Sequence, residues 1–225
     1  MSFDLHGGIG QIVDIFLHID KYLGEIIREY GTWTYGILAF VIFLETGFVV
    51  TPFLPGDSLL FAAGSFAGLG VLNPHYLFFL LWFAAVAGDN LNYFVGHKIG
   101  ESVFHKESKF LKKEYLDKTH AFYEKHGGKT VILGRFIPII RTFMPFVEGI
   151  GAMTYVKFLT FDIIGGALWV GIFVYAGYFF GGLDIVKHNF SFVIIVIILI
   201  SVVPIIMEYF KHRIKQKNSE NEPDS

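Results

Sequence analysis

The chain has no cysteine, which excludes disulfides, thiolate catalysis, iron–sulfur clusters and cysteine zinc sites. Its nine histidines, among them His75, His97, His105, His120, His126, His188 and His212, show no ligand spacing, so no metal site is expected. No Gly-rich phosphate loop of the Walker type occurs, which argues against ATP hydrolysis as a driving force. No cofactor is expected, and nothing points to nucleic acid. The N-terminus lacks a basic n-region, apolar core and small-residue cleavage site, so the chain reads as uncleaved. Charge is scarcest of all: between Arg28 and Lys98 there is no Lys or Arg, and after Glu29 the only acids in that stretch are Glu45, Asp57 and Asp89.

What fills the space is apolar. Of 225 residues, 53% are hydrophobic, and the mean hydropathy of +0.54 exceeds that of a soluble domain. The composition predicts an all-α integral membrane protein. Residues 1–30 mix Ile12, Phe16, Ile19 and Leu23 with Asp14, Asp20, Lys21 and Glu25, the pattern of an amphipathic N-terminal helix at the interface, with an oblique crossing as the alternative. The apolar stretch 35–72 would suffice for two spans of ~20 residues. However, Pro52, Pro55 and Gly56-Asp57 interrupt it where helical hydrogen bonding must hold. Broken backbone at membrane depth needs protein or a wet cavity around it. A re-entrant hairpin over 35–72 is therefore predicted, its tip near 51–57.

A span over 76–97 follows, and then a polar insert over 98–129 with eight lysines and five acids. Phe104, Leu111, Tyr115 and Phe122 lie on one helical face of that insert, which predicts a cytoplasmic amphipathic helix. Residues 130–152, broken by Pro138 and Pro145, read as a second hairpin, followed by spans over 158–180 and 191–207 and a disordered cytoplasmic tail over 211–225. Residues 31–210 form the membrane domain, with about three full transmembrane helices. The basic insert and the basic start of the tail both belong on the cytoplasmic side. Parity then places the hairpins on opposite sides, as an inverted repeat of the kind found in secondary transporters.

An ionised side chain at the bilayer centre costs on the order of 3 kcal/mol, so each needs a partner, water or a task. The first hairpin carries Glu45 and Asp57, and the second carries Arg135 and Arg141 with Glu148 just beyond. If the tips meet, two carboxylates face two guanidiniums across a wet pocket. Arginine suits an anionic phosphate because its planar fork binds bidentately and stays charged. Glu45, flanked by apolar residues, suits proton exchange. The alternative is a pair of salt bridges that only fasten the hairpins. Asp89 has two readings, hydrogen bonding to a hairpin's broken backbone or membership of a proton path, with the first expected. Asp162 and Lys157 are expected at the interface, as are most of the eleven tyrosines and of Trp33, Trp82 and Trp169. Gly88, Gly96 and Gly100 are expected to let helices pack closely.

At these residues the chain resembles the DedA family, also called the SNARE-associated or VTT-domain group. The resemblance rests on Glu45-Thr-Gly47, Pro52-Phe-Leu-Pro55-Gly56-Asp57, Gly88-Asp89 with Tyr93, Gly96 and Gly100, the segment Gly134 to Arg141, and Gly149-Ile-Gly151-Ala-Met153 with Phe158. It implies facing re-entrant hairpins, a bacterial cytoplasmic membrane location, and essential roles for Glu45, Asp57, Arg135 and Arg141. It further implies movement of undecaprenyl phosphate between leaflets, or of phosphatidylethanolamine or another phospholipid by scrambling, or proton-dependent tolerance of stress. Glu148 departs from the small residue expected before Gly149.

Together these features predict a flippase for a lipid phosphate, drawing on the proton or sodium gradient. Arg135 and Arg141 would bind substrate, Glu45 and Asp57 would couple protons, and Asp89, Glu148, Pro55, Gly56 and Pro138 would support them. A proton-coupled small-cation antiporter is the alternative. An enzyme is not expected, because no histidine lies between His126 and His188 to act beside the arginines. A homo-oligomer remains open.

Overall fold

A computed structural model describes residues 18–48, 56–104, 129–197 and 199, and among these every regular element is helical. The elements are α1 (Ile19–Tyr30), α2 (Trp33–Gly47), α3 (Gly56–Gly68), α4 (Pro74–Phe104), α5 (Lys129–Gly134), α6 (Pro138–Val147), one π-helical turn (Glu148–Ala152), α7 (Tyr155–Phe180) and α8 (Asp184–His188). A last helix, α9, runs over 190–197. The hairpin tip with Pro55, most of the basic insert, the N-terminal 17 residues and the tail lie outside the described residues.

Among the described residues two helices are long and apolar enough to cross a bilayer, over Pro74–Ile99 and Tyr155–Phe180, each of 26 residues. At 1.5 Å per residue such a helix is ~39 Å long, more than the ~30 Å hydrocarbon core. Their outward faces carry Phe79, Phe83, Val156, Ile172 and Phe179, all exposed, a surface suited to lipid. The sequence places the start of α4: Asn73 Oδ1 accepts from the backbone N–H groups of His75 and Tyr76 at 3.0 Å each, and Pro74 takes the first position, where no N–H is needed. The helix extends through Lys98 to Phe104, past the boundary at which the basic insert was expected to begin. α1 buries Ile19 and Leu23, four residues apart, with Ile27 packed beside them. Its 12 residues are too few to cross a bilayer.

The two broken segments pack reciprocally. α2 lies on α4, the long helix that follows it in sequence, while α3 reaches across to α7. In the second half α5 lies on its own long helix, α7, while α6 and the π turn reach back to α4. Glycine makes each crossing possible. Gly64 and Gly68 of α3 lie against the backbone of Val174 and Tyr178, and Gly177 of α7 lies against the backbone of Phe61. On the other side Gly96 of α4 meets the backbone of Phe146, and Gly149 meets that of Tyr93. Gly47 and Gly88 face each other where α2 ends on α4. The close-packing role expected of Gly88 and Gly96 is what their neighbours show.

Pro145 sits within α6 and cannot donate to the carbonyl of Arg141, and the helix widens into the π turn just beyond it. That turn sets Gly149 against α4 and brings Glu148 inward, fully buried.

These crossings leave no room for a side chain. Gly177→Val should lower the stability of the detergent-solubilised protein by ~1–3 kcal/mol, the cost of overpacking. Gly36→Ala, at a position with nothing within 4 Å, should leave stability unchanged or raise it by up to ~1 kcal/mol through helix propensity. Thermal unfolding followed by circular dichroism reads both.

Candidate functional site

Arg141, the fourth residue of α6, is 4% exposed and gathers three other helices around it. Its Nη1 donates to Asp57 Oδ1 at 2.6 Å, and its Nη2 donates to Glu45 Oε1. Trp169 of α7 lies under the guanidinium, with Cζ 4.5 Å from the ring, and its Nε1 donates to the same Asp57 oxygen at 2.8 Å. Glu45 ends α2 and Asp57 begins α3, so the two sides of the first break converge on one cation. A Cβ at residue 56 would occupy the place of the Glu45 carboxylate, so Gly56 supports the pairing by being small.

Arg135 follows α5 and is equally buried. It does not meet Glu45 or Asp57, as a single pocket between the hairpin tips would require. Its Nη2 instead donates to Asp89 Oδ2 on α4 and to Asp162 Oδ1 on α7. Gly165 and Gly166 leave the space it fills: added Cβ atoms there would stand 2.9 Å from Arg135 Cδ and 3.3 Å from its Nη1.

Two expectations are thereby corrected. Asp162 is not interfacial but 1% exposed, and Asp89 pairs with a guanidinium rather than with broken backbone. Position along a span was the misleading cue, because α7 begins at Tyr155 and Asp162 lies two turns inside it. Trp169, one of the three tryptophans among which interfacial anchors were expected, is fully buried under Arg141. Its place one turn beyond Gly165-Gly166 was the available signal.

Asn92 also escaped notice. Its Nδ2 donates to the carbonyl of Thr142 at 2.8 Å and to that of Thr46 at 3.3 Å, tying the residues next to Arg141 and Glu45 to α4. Thr46 Oγ1 in turn donates to Ala85 O at 3.2 Å. Pro138 opens α6, with Ile137 extended before it and the Arg141 N–H donating to Ile137 O at 2.9 Å. The break and the arginine thus share one turn of helix.

Glu148 lines a small cavity together with Arg135, Arg141, Asp162, Met144 and Phe158. The cavity has room for about one water molecule. Two guanidiniums and the carboxyl groups of Asp162 and Glu148 line it, and the carboxyl groups of Glu45, Asp57 and Asp89 are held on those same guanidiniums, all of them buried. Among the described residues no cluster has the makings of a metal site. What the arrangement can do is hold an anion on a guanidinium, or a cation or protons on the surplus carboxyls, by exchanging one partner for another.

Comparison with known proteins identifies relatives of this chain. A family model described as the VTT domain matches residues 54–179. The chain is similar to the protein DedA of Escherichia coli, at 51% identity over 90% of this chain and 94% of that one. It is 40% identical to an uncharacterised membrane protein of Mycobacterium tuberculosis over 84% of each chain. It is 32% identical to the inner membrane protein YqjA of Escherichia coli, over 65% of this chain and 67% of that one. No solved structure matches it. A domain match that takes in Asp57, Asp89, Arg135, Arg141 and Asp162, together with relatives alike along nearly their whole length, places the chain in the DedA family of VTT-domain membrane proteins.

Proposed function

We propose that the protein is a lipid-phosphate translocase of the bacterial cytoplasmic membrane, moving a polyprenyl phosphate such as undecaprenyl phosphate between leaflets at the expense of the proton or sodium gradient. The observation that carries this reading is the burial of two arginines, each bound to two carboxylates from different helices, in the middle of an apolar helical protein. In this reading α2–α3 and α5–α6 are re-entrant arms of an inverted repeat, entering from opposite sides, with the C-terminus in the cytoplasm. Their reciprocal packing on α4 and α7 supports that symmetry.

The chemistry follows from competition. A phosphate headgroup can reach Arg135 or Arg141 only where a carboxylate gives way, since the cavity as it stands admits about one water. Protonation of the carboxylate, or its capture of sodium, makes the exchange neutral overall, which ties headgroup binding to the coupling ion. Glu45 and Asp57 serve this role at Arg141. The fork of Arg141, braced from below by Trp169, presents two parallel donors to a phosphate, a geometry that a lysine ammonium lacks. The lipid tail stays in the bilayer beside the exposed apolar faces.

The surplus of carboxyls over guanidiniums favours one second reading, a proton-coupled antiporter for a small cation. Reconstitution separates the two. In liposomes carrying labelled polyprenyl phosphate, the purified protein should equilibrate the lipid between leaflets, and an ionophore that collapses the gradient should slow net transfer. Ion flux that proceeds at full rate in vesicles without lipid phosphate would instead establish the antiporter.

Arg141→Lys keeps the charge and loses the fork. It should reduce lipid transfer at least ~10-fold, as expected when a bidentate charge-assisted contact worth ~1.5–3 kcal/mol is lost, while circular dichroism shows the fold intact. Unchanged transfer would mean that the arginine only fastens helices together.

A further inference from the structure

Asp162 is a buried carboxylate for which the exchange at Arg141 has no use. It lies on α7, 1% exposed, and meets Asp89 of α4 on one and the same atom, Arg135 Nη2. Two carboxylate oxygens held on one donor nitrogen stand close together, and two like charges at such a separation in a buried site resist ionising together. Ionised carboxylates only accept hydrogen bonds, so two of them can bond to one another only through a proton. The remaining oxygens, Asp89 Oδ1 and Asp162 Oδ2, are buried with no other hydrogen-bond partner, and so is Arg135 Nη1. A cavity lined by both Arg135 and Asp162 adjoins them.

The charged and titratable surroundings come from every neighbouring element. Arg135 precedes α6, Arg141 lies on α6 and acts on Asp89 through space, and Glu148 on the π turn lines the same cavity. Glu45 of α2 and Asp57 of α3 are held on Arg141. Tyr93, the next titratable group on α4, donates to the carbonyl of Met153 at 3.0 Å, and Lys157 on α7 is exposed.

We propose that Asp89 and Asp162 form a proton-sharing carboxyl pair, a proton-binding site separate from Glu45 and Asp57. One carboxyl and one carboxylate together carry a single negative charge, which balances the one positive charge of Arg135 and leaves this buried trio neutral. Uptake of a second proton turns the remaining carboxylate into a carboxyl. No bond other than O–H forms, and Arg135 Nη2 becomes available to an anion. Release of that proton to water in the cavity restores the ion pair. The use of this site in transport rests on the translocase reading, whereas the shared proton does not.

Infrared difference spectroscopy of the purified protein at neutral pH tests the pair without any lipid present. Subtracting the spectrum of Asp162→Asn, a nearly isosteric change, should remove one C=O stretch of a protonated buried carboxyl that shifts in heavy water. Asp89→Asn should remove the same band, and it serves if the first variant does not fold. Loss of carboxylate bands alone, with every protonated-carboxyl band retained, would overturn the proposal. A band present in a protein that fails to move lipid would overturn the translocase reading and leave the proton pair standing. Lipid transfer without the band would do the reverse.

Discussion

A buried guanidinium cannot shed its charge, and most of what is unusual in this protein follows from that constraint. Two arginines placed where the surroundings are otherwise apolar must each find anionic partners, because an unpaired buried ion costs several kcal/mol. Neither finds them on its own helix. Arg141 draws Glu45 and Asp57 from the two sides of the first break, and Arg135 draws Asp89 and Asp162 from the two long helices. Four salt bridges therefore tie together five elements that hydrophobic contact alone would leave free to slide. The glycines are the steric counterpart. Backbones must approach closely at Gly64, Gly96, Gly149 and Gly177 to bring the charges within reach, and Gly56, Gly165 and Gly166 give the paired side chains room.

The same pairs that fasten the molecule can also be exchanged. Each guanidinium is bound by carboxylates, so an incoming anion replaces like with like and needs no new donor. The buried cluster holds three more carboxyls than guanidiniums, which in the proposed exchange gives protons or cations places to bind when an anion arrives. An apolar core of the same shape would pack as well and do neither.

Much of this was legible in the residues. The absence of lysine and arginine between Arg28 and Lys98 isolated Glu45, Asp57 and Asp89, and the prolines at 52, 55, 138 and 145 located the breaks. What could not be read was partnership. Charge cost says that Arg135 needs an acid, but not that the acids stand on α4 and α7 and not on the first hairpin. Asp162 was misjudged because distance from the end of an apolar run stood in for depth, and Trp169 because an amphipathic ring suits the interface as well as it suits a cation. Asn92 left no trace, since a single amide on a span becomes meaningful only when Thr46 and Thr142 are seen beside it.

In the proposed exchange a lipid phosphate takes the place of a carboxylate on Arg135 or Arg141. Apart from Arg28 and Arg213 these are the only arginines in the chain, and replacing those two with lysine leaves a protein whose guanidinium nitrogens can be isotopically labelled at the site alone. Solid-state NMR of that protein with bound polyprenyl phosphate should show the phosphorus signal dephased by guanidinium nitrogen-15, and the effect should vanish on Arg141→Lys combined with Arg135→Lys. A phosphate that binds with no dephasing would contradict the account.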